Sequence, residues 1–592
     1  MKQIFHALPL ILLITALSVI HGLIGGGRPV FSLPAYGFVA AAGLLTFRTR
    51  SSGTGTPSTS CLAGTAVLIS YLLVRAALSP VPYLARADIF LMLSCLLIYL
   101  LTAIFIITAR QRLAVAGALL ALGLLHTGVA VVQASLGEEF MLFGFLRAPA
   151  GNRASGMFIS PNHLAGFLEI VVVLGLSAAW WSARKATVRI FLGYATLCCS
   201  AGLLLSQSRG GVICAVFSLL VWGVLTVRAG YLKNPRGFDR VLLFSLVAVI
   251  VLLGVGGWFV AEHTELRERL ATALERDIRV ANWQAALAQF RTAPVFGTGA
   301  GTHLYLGRLF RQPELQMDPV HAHNDYLELL AEYGLVGAAG MAFFLAAHAV
   351  GGLRALGRLA RALRGKPEAG SDALALVIGA LAAFATMAAH SVVDFNLHIP
   401  ANALTMSFLF GILARPDPPA ENPEPGFTAT AAATRARRAL PVLGTGLLAL
   451  ALLAWPGELL TERARLQLRD EEYPEAASSA TQGLRLDPWN PFAYFHLGEA
   501  LRLQAELEPL FAGRQARREQ ADRAFQQGLR IFPQDENLLV RRAQVLDRLR
   551  RFDEAEASFQ AALAADPRLE VLQELYQQHR ALREASQPDP SP

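Results

Sequence analysis

Apolar runs of about 20 residues, the length that an α-helix needs to cross the hydrocarbon core of a bilayer, recur about thirteen times along this chain. No other feature restricts the fold as strongly. The sequence therefore predicts an all-α protein that is mostly a bundle of about 13 transmembrane helices. The predicted spans cover residues 4–24, 29–47, 61–79, 88–109, 113–136, 163–181, 188–206, 210–227, 241–261, 326–350, 373–395, 399–414 and 440–460.

The composition excludes an ordinary soluble protein. Hydrophobic residues make up 54% of the positions, charged residues make up 16%, and the mean hydropathy is +0.43. A soluble domain has about 25% charged residues, so this chain lacks the polar surface that such a domain needs. The net charge of +8 does not indicate nucleic-acid binding, because the basic residues lie in short clusters between the apolar runs.

These basic clusters alternate between successive junctions and so predict a topology. With Lys2, the junctions assigned to the cytoplasm contain 21 Lys and Arg residues. Because positive residues concentrate on the cytoplasmic side, the long polar loop at 262–325 and everything after residue 460 are expected outside the cytoplasm. The opposite short loops contain only five basic residues, Arg28, Arg86, Arg147, Arg153 and Arg209.

The N-terminal run and the cysteines give two smaller predictions. The run up to Ile24 resembles a signal peptide, but no cleavage site followed by a soluble domain is evident, so it is interpreted as a retained first span. All five cysteines lie within apolar segments. Neither a structural disulfide nor a cysteine-based metal site is therefore expected.

The composition divides the chain into a membrane domain, residues 1–460, and a charged, helical tail, residues 461–585. A proline-rich stretch at 415–438 is expected to be a flexible cytoplasmic linker before the last span. In the tail, Pro533 and Pro567 are 34 residues apart, which is the tetratricopeptide period. Pro488 and Pro533 are 45 apart, which implies an insertion near 505–518. Residues 586–592 are expected to be a disordered end.

Four stretches on the predicted outer side hold the residues best suited to chemistry. They are residues 151–169, 206–211, 276–303 and 321–337. They contain the motifs Ser208-Arg209-Gly210, Arg279-x3-Trp283, the segment from Pro294 to Gly299, and His323-Asn324 followed by Leu327, Glu332, Gly334 and Gly337.

In their order, spacing and common side, these motifs resemble the O-antigen ligase and Wzy-type polymerase superfamily of the bacterial envelope. The resemblance covers about residues 150–345. It implies a bacterial inner-membrane protein. The repeat spacing and the predicted topology, and not the resemblance, predict a periplasmic tetratricopeptide-like α-solenoid at the C-terminal end. The resemblance also implies an inverting, metal-independent glycosyltransferase of cell-surface polysaccharide biosynthesis, with no cofactor. Such an enzyme transfers a glycan from a polyprenyl diphosphate to an acceptor hydroxyl.

The chemistry that the resemblance implies selects three catalytic candidates, His323, Arg209 and Arg279. A poorly nucleophilic hydroxyl needs a base, and His323 lies just before a predicted helix N-terminus, where the neutral imidazole is favoured. Arg209 and Arg279 suit a departing diphosphate, because arginine stays charged and binds phosphate oxygens bidentately. The substrate-binding candidates are Arg153, Asn162, His321, Asn324 and Asp394.

Structural alternatives accompany each of these assignments. His323 alone could serve only as a loop hydrogen-bonding group, and Arg209 as a topological charge. His321 and His323 form an H-x-H pair that could bind metal, but no third ligand is evident in the sequence, so no metal is predicted. The FGTGAG segment at 296–301 lacks the strand and lysine of a phosphate-binding loop and is expected to be a tight turn.

The acceptor and the partners stay open. Lipid A–core as acceptor would make the protein a ligase, a second lipid-linked glycan a polymerase, and a protein hydroxyl an O-oligosaccharyltransferase. The repeat tail is expected to present a concave surface to a protein partner. A lipid-linked glycan transporter and a non-catalytic scaffold are the alternatives from other classes. Transporters place their polar residues near the bilayer midplane, whereas here they gather at one face.

Overall fold

The protein is described by a computed structural model, and every regular element in the described residues is helical. The predicted all-α class is therefore confirmed. The described residues are 2–48, 56–137, 139–145, 153–235, 278–318, 320–366, 368–416 and 431–586, together with Ile250 and Gly254.

Within these residues, nine helices are long and apolar enough to cross a membrane, and three shorter apolar helices lie at 7–22, 29–45 and 400–414. Each corresponds to one predicted span; the span predicted at 241–261 and residues 417–430 of the predicted linker lie outside the described residues. The membrane helices and the two helices of the outer loop are α1 Lys2–Gly22, α2 Pro29–Leu45, α3 Thr59–Ala77, α4 Pro82–Leu100, α5 Ala109–Leu136, α6 Pro161–Trp181, α7 Ala186–Leu205, α8 Arg209–Lys233, α9 Ile278–Thr292, α10 His303–Leu309, α11 Asp325–Ala362, α12 Asp372–His390, α13 Pro400–Ala414 and α14 Ala431–Arg469.

The junctions between the helices gather at two ends of the bundle, as the alternating charge predicts. At one end, Arg112 donates to the backbone oxygen of Arg415 at 2.7 Å, which joins two of the Arg-containing junctions. At the other end, the Ser79 hydroxyl donates to the backbone oxygen of Ala300 at 2.7 Å. The second end, here called the outer end, holds all the candidate residues.

Helices α6 and α12 form the centre of the bundle. Both are 78% buried over their most apolar stretch, whereas α14 is only 22% buried. Side chains from the two helices fill the main apolar core, among them Phe167, Leu174 and Ile378. Because both helices have one end at the outer surface, Pro161 at the start of α6 and His390 at the end of α12 lie beside the candidate site.

Helix α11 breaks at Gly334, and the loop at residues 294–299 fits against the break. Gly334 has φ 65° and ψ −169°, and Gly297 has φ 70°. Four backbone hydrogen bonds of 2.9–3.1 Å join residues 294–299 to residues 331–336. A Cβ on Gly334 would lie 2.5 Å from the Gly297 nitrogen, so only glycine fits there. The expected tight turn is thus present, and it pairs with the helix break.

The tail consists of helical hairpins that continue directly from α14, which crosses the predicted domain boundary at residue 460 without interruption. Ala555, Phe559 and Ala562 are buried between neighbouring helices, as the repeat pattern predicts. The predicted insertion lengthens two adjacent helices, α16 and α17, to 17 and 21 residues. The tail helices are α15 Tyr473–Leu486, α16 Pro491–Leu507, α17 Phe511–Ile531, α18 Glu536–Arg548, α19 Phe552–Ala565 and α20 Glu570–Ala585.

The tail docks on the outer end of the membrane domain through the turns between its hairpins. An acidic residue in or directly after each of the three turns that contain Pro488, Pro533 or Pro567 faces an arginine of the membrane domain. The pair in the last turn is fully buried, with both side chains 0% exposed. The three pairs are Arg86 with Asp487 at 2.7 Å, Arg308 with Glu536 at 3.7 Å, and Arg311 with Asp566 at 2.9 Å from Nε.

Candidate active site

His323 lies immediately before α11 and is held from three sides. Its Nδ1 is 3.2 Å from Oδ1 of Asp394, its ring packs edge-on against Phe395 at 4.7 Å between centroids, and its backbone oxygen accepts a hydrogen bond from Trp283 at 3.2 Å. The backbone has φ 51°, in the left-handed region. About a third of the side chain, 32%, is exposed, so the ring is fixed in place and still accessible.

Asp394 is the buried partner that fixes the orientation of this ring. Its side chain is 1% exposed, and Oδ1 also accepts from the Phe395 backbone N–H at 2.9 Å. Burial alone would raise the pKa of Asp394, but the hydrogen bond to His323 and the nearby His163 and His390 outweigh burial and hold the pKa well below its usual range. An ionised carboxylate can only accept hydrogen bonds. Nδ1 of His323 therefore carries the proton, and the Nε2 lone pair faces away from Asp394.

A second buried acid–histidine pair lies beneath the first. Nδ1 of His390, at the end of α12, is 3.1 Å from a carboxylate oxygen of Glu169 on α6, and both side chains are buried. The start of α8 packs directly on this pair. A Cβ on Gly211 would lie 2.6 Å from Cβ of Ala165 and 3.3 Å from the Glu169 carboxylate. The glycines after Arg209 therefore let the helix N-terminus approach the pair closely.

Arg209 is the first residue of α8, and its neighbours connect it to the start of α6. Ser208 caps the helix by accepting from the Gly211 backbone at 3.2 Å, and its hydroxyl donates to the side-chain oxygen of Asn162 at 2.9 Å. The same Asn162 oxygen accepts from Arg153 at 2.7 Å. Asn162 thus links Arg153 to the turn that carries Arg209, and both arginines stay partly exposed.

Arg279 comes from the outer loop and lies on α9. It lies on the first turn of α9, one turn before Trp283, so the R-x3-W spacing places both residues on one helix face. The hydrogen bond from Trp283 to His323 fixes α9 on the candidate base. Arg279 lies within electrostatic range of His390, and its side chain is partly exposed.

His321 and Asn324 lie just before α11, and His321 belongs to a neighbouring network that also contacts Phe395. Nδ1 of His321 is 2.7 Å from Glu328, and its ring stacks on Phe395 at 4.2 Å. Asn324 is the N-cap of α11, since its side-chain oxygen accepts from the backbone of residues 326 and 327. Nδ1 of His398 is 2.9 Å from Asp325; burial would lower the pKa of His398, but Glu328 and Asp325 outweigh burial and raise it well above its ordinary value.

Comparison with known families assigns this part of the chain. The family profile for O-antigen ligase matches residues 194–342, which include Arg209, Arg279, His321, His323 and Asn324. The chain contains an O-antigen ligase domain. No curated protein matches the chain.

Solved structures of tetratricopeptide-repeat proteins also match part of the chain. The repeat domain of OM64 from Arabidopsis is 18% identical, with a TM-score of 0.20, and the match covers 22% of this chain and 98% of that one. The first repeat domain of human RPAP3 is 19% identical, with a TM-score of 0.19 and coverages of 22% and 98%. A thermophilic repeat protein of Thermus thermophilus is 24% identical, with a TM-score of 0.20 and coverages of 25% and 84%.

The candidate residues form separate hydrogen-bonded groups. His323 contacts Asp394, and Arg153 contacts Asn162, which is bonded to the turn that carries Arg209. His321 belongs to the network of Glu328 and His398, and its ring and that of His323 both pack on Phe395. Arg308 and Arg311, two further arginines of the outer loop, bind the tail instead.

The sequence gives no role to Glu169 or Phe395, and it marks His390 and His398 only as two histidines beside Asp394 at the outer end of a span. A glutamate within an otherwise apolar run was the available signal for Glu169, because ionisable groups in a span are costly and often functional. Geometrically, two groups of described residues could hold a metal, Glu169 with Cys214 and His390, and His321 with Glu328 and His398, with ligand atoms within 4.8 Å of one another. Of the H-x-H pair, His321 belongs to the second of these groups, whereas His323 belongs to neither.

Proposed function

We propose that the protein transfers a glycan from a polyprenyl diphosphate to an acceptor hydroxyl at the periplasmic face of the bacterial inner membrane. The observation that carries this proposal is the contact of 3.2 Å between His323 and the buried carboxylate of Asp394. It leaves Nε2 of a partly exposed histidine as a base, in a domain matched by the O-antigen ligase profile. The product would belong to a cell-surface polysaccharide.

The base step uses His323 and Asp394 together. Nε2 takes the proton of the acceptor hydroxyl while the hydroxyl oxygen attacks the anomeric carbon of the donor. A carbon–oxygen bond to the acceptor forms, the bond to the diphosphate breaks, and its electron pair leaves with the diphosphate. The attack comes from the face opposite the leaving group, so the configuration inverts. Asp394 stabilises the imidazolium that results.

The arginines serve the leaving group. Negative charge grows on the diphosphate as the bond breaks, and arginine binds such oxygens with two parallel hydrogen bonds. Arg209 begins α8, so the positive end of the helix dipole points to the same place. Arg279 reaches it from α9, and Arg153 extends the charge through Asn162. The fixed positive charges supply the stabilisation that a metal ion gives in other phosphoryl sites, and we therefore propose metal-independent transfer.

The test is transfer in vitro, from a purified lipid-linked glycan, by the intact protein. His323→Ala should abolish transfer and leave donor binding in place, because a base acts mainly in the transition state. His496→Ala, which removes a partly exposed histidine of the tail, is the matched control and should transfer normally. Chelators should leave the rate unchanged. Full activity of His323→Ala would overturn the proposed mechanism.

Arginine variants test the donor side in the same assay. Arg209→Ala should weaken donor binding and turnover, since it loses a charge-assisted contact worth about 1.5–3 kcal/mol. Arg209→Lys should recover only part of the loss, because lysine offers a point charge without the planar fork. Arg291→Ala, at an exposed position of α9, is the control. If Arg291→Ala and Arg209→Ala weaken donor binding equally, the diphosphate does not bind at α8.

A further inference from the structure

The side chains of His321, Glu328 and His398 converge at the outer end of the bundle. One nitrogen of each histidine and one carboxylate oxygen of Glu328 lie within 4.8 Å of one another. Nδ1 of His321 is 2.7 Å, and Nε2 of His398 is 3.5 Å, from the same oxygen, Oε1 of Glu328. Two ligand atoms on one zinc ion lie about 3–3.5 Å apart, because each is about 2.0–2.1 Å from the metal in a tetrahedral arrangement. Small side-chain shifts would therefore bring all three atoms onto one ion.

Hydrogen bonds from neighbouring groups already orient two of these side chains. Nδ1 of His398 donates to Oδ1 of Asp325 at 2.9 Å, and Nε2 is thereby turned towards Glu328. Asp325 in turn accepts from the Ser391 hydroxyl at 2.7 Å. Oε2 of Glu328 accepts from the backbone N–H of Ala322 at 2.8 Å, which leaves Oε1 for the two histidines. Histidines that bind metal almost always donate their other ring N–H to a carboxylate or carbonyl in this way.

This group is accessible from the surface, unlike the other possible ligand group. The two histidine side chains are 26% and 25% exposed, whereas Glu328 is 3% exposed. An ion can therefore reach the imidazoles, and the buried carboxylate supplies a negative charge behind them. Glu169, Cys214 and His390 are 1%, 4% and 1% exposed, so they offer no comparable path.

We propose that His321, Glu328 and His398 bind one Zn²⁺ ion. Two imidazoles and one carboxylate suit zinc, whereas Ca²⁺ and Mg²⁺ take oxygen ligands. The H-x-H spacing did not predict this site, because His398 comes from the connection between α12 and α13. The contact between His398 and Asp325 spans 73 positions.

The proposed ion would join the two segments that carry the candidate base and its carboxylate. The first two ligands belong to the segment that starts α11 and contains His323, and His398 belongs to the connection after α12 that contains Asp394. The hydrogen bond between Asp325 and His398 already joins the same two segments. Zn²⁺ would therefore add stability to this arrangement without being required for transfer.

Metal titration of the full-length protein in lipid nanodiscs tests the site. The protein is purified without a histidine tag, treated with a chelator and titrated with Zn²⁺ in a calorimeter. It should bind one equivalent, and the bound ion should raise the unfolding temperature. Mg²⁺ at the same concentration should do neither. Failure of the wild type to bind Zn²⁺ would overturn the proposal.

Variants locate the ion. His398→Gln should lose the binding of this equivalent. Asp325→Asn should weaken it by about 10–100-fold, because Asp325 only orients His398. His496→Gln, at a partly exposed histidine of the tail, is the control and should bind as the wild type does. Zn²⁺ affinity that is unchanged in His398→Gln would contradict the assignment.

Co²⁺ distinguishes the two possible ligand groups in the wild type, without reliance on a variant that folds. Bound to two imidazoles and a carboxylate, Co²⁺ should show visible d–d absorption and no charge-transfer band from a thiolate. A thiolate band that disappears in Cys214→Ser would place the ion at Cys214 and refute the site at His398.

The zinc site and the proposed function fail in different ways. His323→Ala should lose transfer and keep Zn²⁺ binding. A wild-type protein that binds no Zn²⁺ and still transfers would refute the zinc site alone. Zn²⁺ binding as expected, with transfer that stops when the ion is removed, would refute metal-independent transfer alone.

Discussion

At the scale of single residues, a buried carboxylate decides what His323 can do. An imidazole has two nitrogens, and the one that keeps its proton is set by the hydrogen bond that it makes. Burial would raise the pKa of Asp394, but the hydrogen bond to His323 and the nearby His163 and His390 hold it well below the usual range. The proton is thereby kept on Nδ1 and the lone pair on Nε2. Asp394 is a positioning residue, because it acts on the reaction through His323.

The variant Asp394→Asn tests this role. The asparagine amide can donate to Nδ1 and so favour the tautomer with its proton on Nε2, which cannot act as a base. Transfer should fall on the order of 10²–10⁴-fold, the range for losing general-base assistance, while donor binding stays as in the wild type. Glu314→Gln, at an exposed acidic residue of the outer loop, is the control. If donor binding falls as much as transfer, Asp394 has a structural role.

The sequence predicted which residues belong to this site better than it predicted which of them contact one another. His323 and Arg209 were found because short motifs carry them. Asp394 was named as a candidate, but its contact with His323 spans 71 positions, and the Glu169–His390 contact spans 221. Such pairs depend on which helices pack side by side, and an apolar run carries little information about its neighbour in a bundle.

At the scale of elements, the loop at residues 294–299 and the helix break at Gly334 form a joint between the outer loop and α11. The loop at residues 294–299 and the break at Gly334 hold one another through backbone hydrogen bonds. The sequence indicated a tight turn at FGTGAG. It gave no sign that the turn would pair with a break 35 to 40 residues later, because the helix pattern of α11 continues through it. The joint holds the first turns of α11, which follow His323 in the chain, against the outer loop.

Gly334→Ala should disturb this joint. A residue with a Cβ at this φ and ψ costs about 1–3 kcal/mol in backbone strain, and the new Cβ would meet the backbone of Gly297 and Val295. The unfolding temperature of the purified protein should fall, and transfer with it. Gly340→Ala on the same helix is the control, because its nearest contact would be 3.6 Å from Leu68. Equal effects of the two variants would show that the joint is not needed.

At the scale of the whole molecule, the tail is bound to the membrane domain at or next to each of its three proline-containing turns. The 34-residue spacing predicted the hairpins, and the acidic residues of their turns were visible in the sequence. Their arginine partners were not, since Arg308 and Arg311 were two of several arginines in one loop. The loop that they hold leads to His321 and His323, so the tail and the site share a support.

Arg311→Met tests the strongest of these contacts. It leaves Asp566 buried without its partner, and breaking a buried ion pair in this way costs about 3–5 kcal/mol. The tail should become sensitive to limited proteolysis. Arg583→Met removes an exposed ion pair within the tail, with side chains 35% and 91% exposed, and should cost no more than about 1 kcal/mol. Resistance equal to the wild type would mean that the docking does not depend on Arg311.

The orientation of the molecule has its own test. Reporter fusions after residues 300 and 480 should be periplasmic, and fusions after residues 365 and 425 cytoplasmic, because the junctions rich in Lys and Arg stay inside. A cytoplasmic signal after residue 480 would contradict the thirteen-span topology. The short helix at 400–414 would then be the span to remove.

The uninterrupted helix α14 fixes the rotation of the tail about the helix axis relative to the membrane bundle. It leaves the bundle and becomes the first helix of the tail over 39 residues, so a residue inserted near its outer end would turn the tail by about 100° and advance it by about 1.5 Å. Two inserted turns would restore the angle but raise the tail by about 10 Å. Either change would carry Asp487, Glu536 and Asp566 away from their arginines together. The length of α14 is therefore constrained residue by residue, even where its side chains face only lipid.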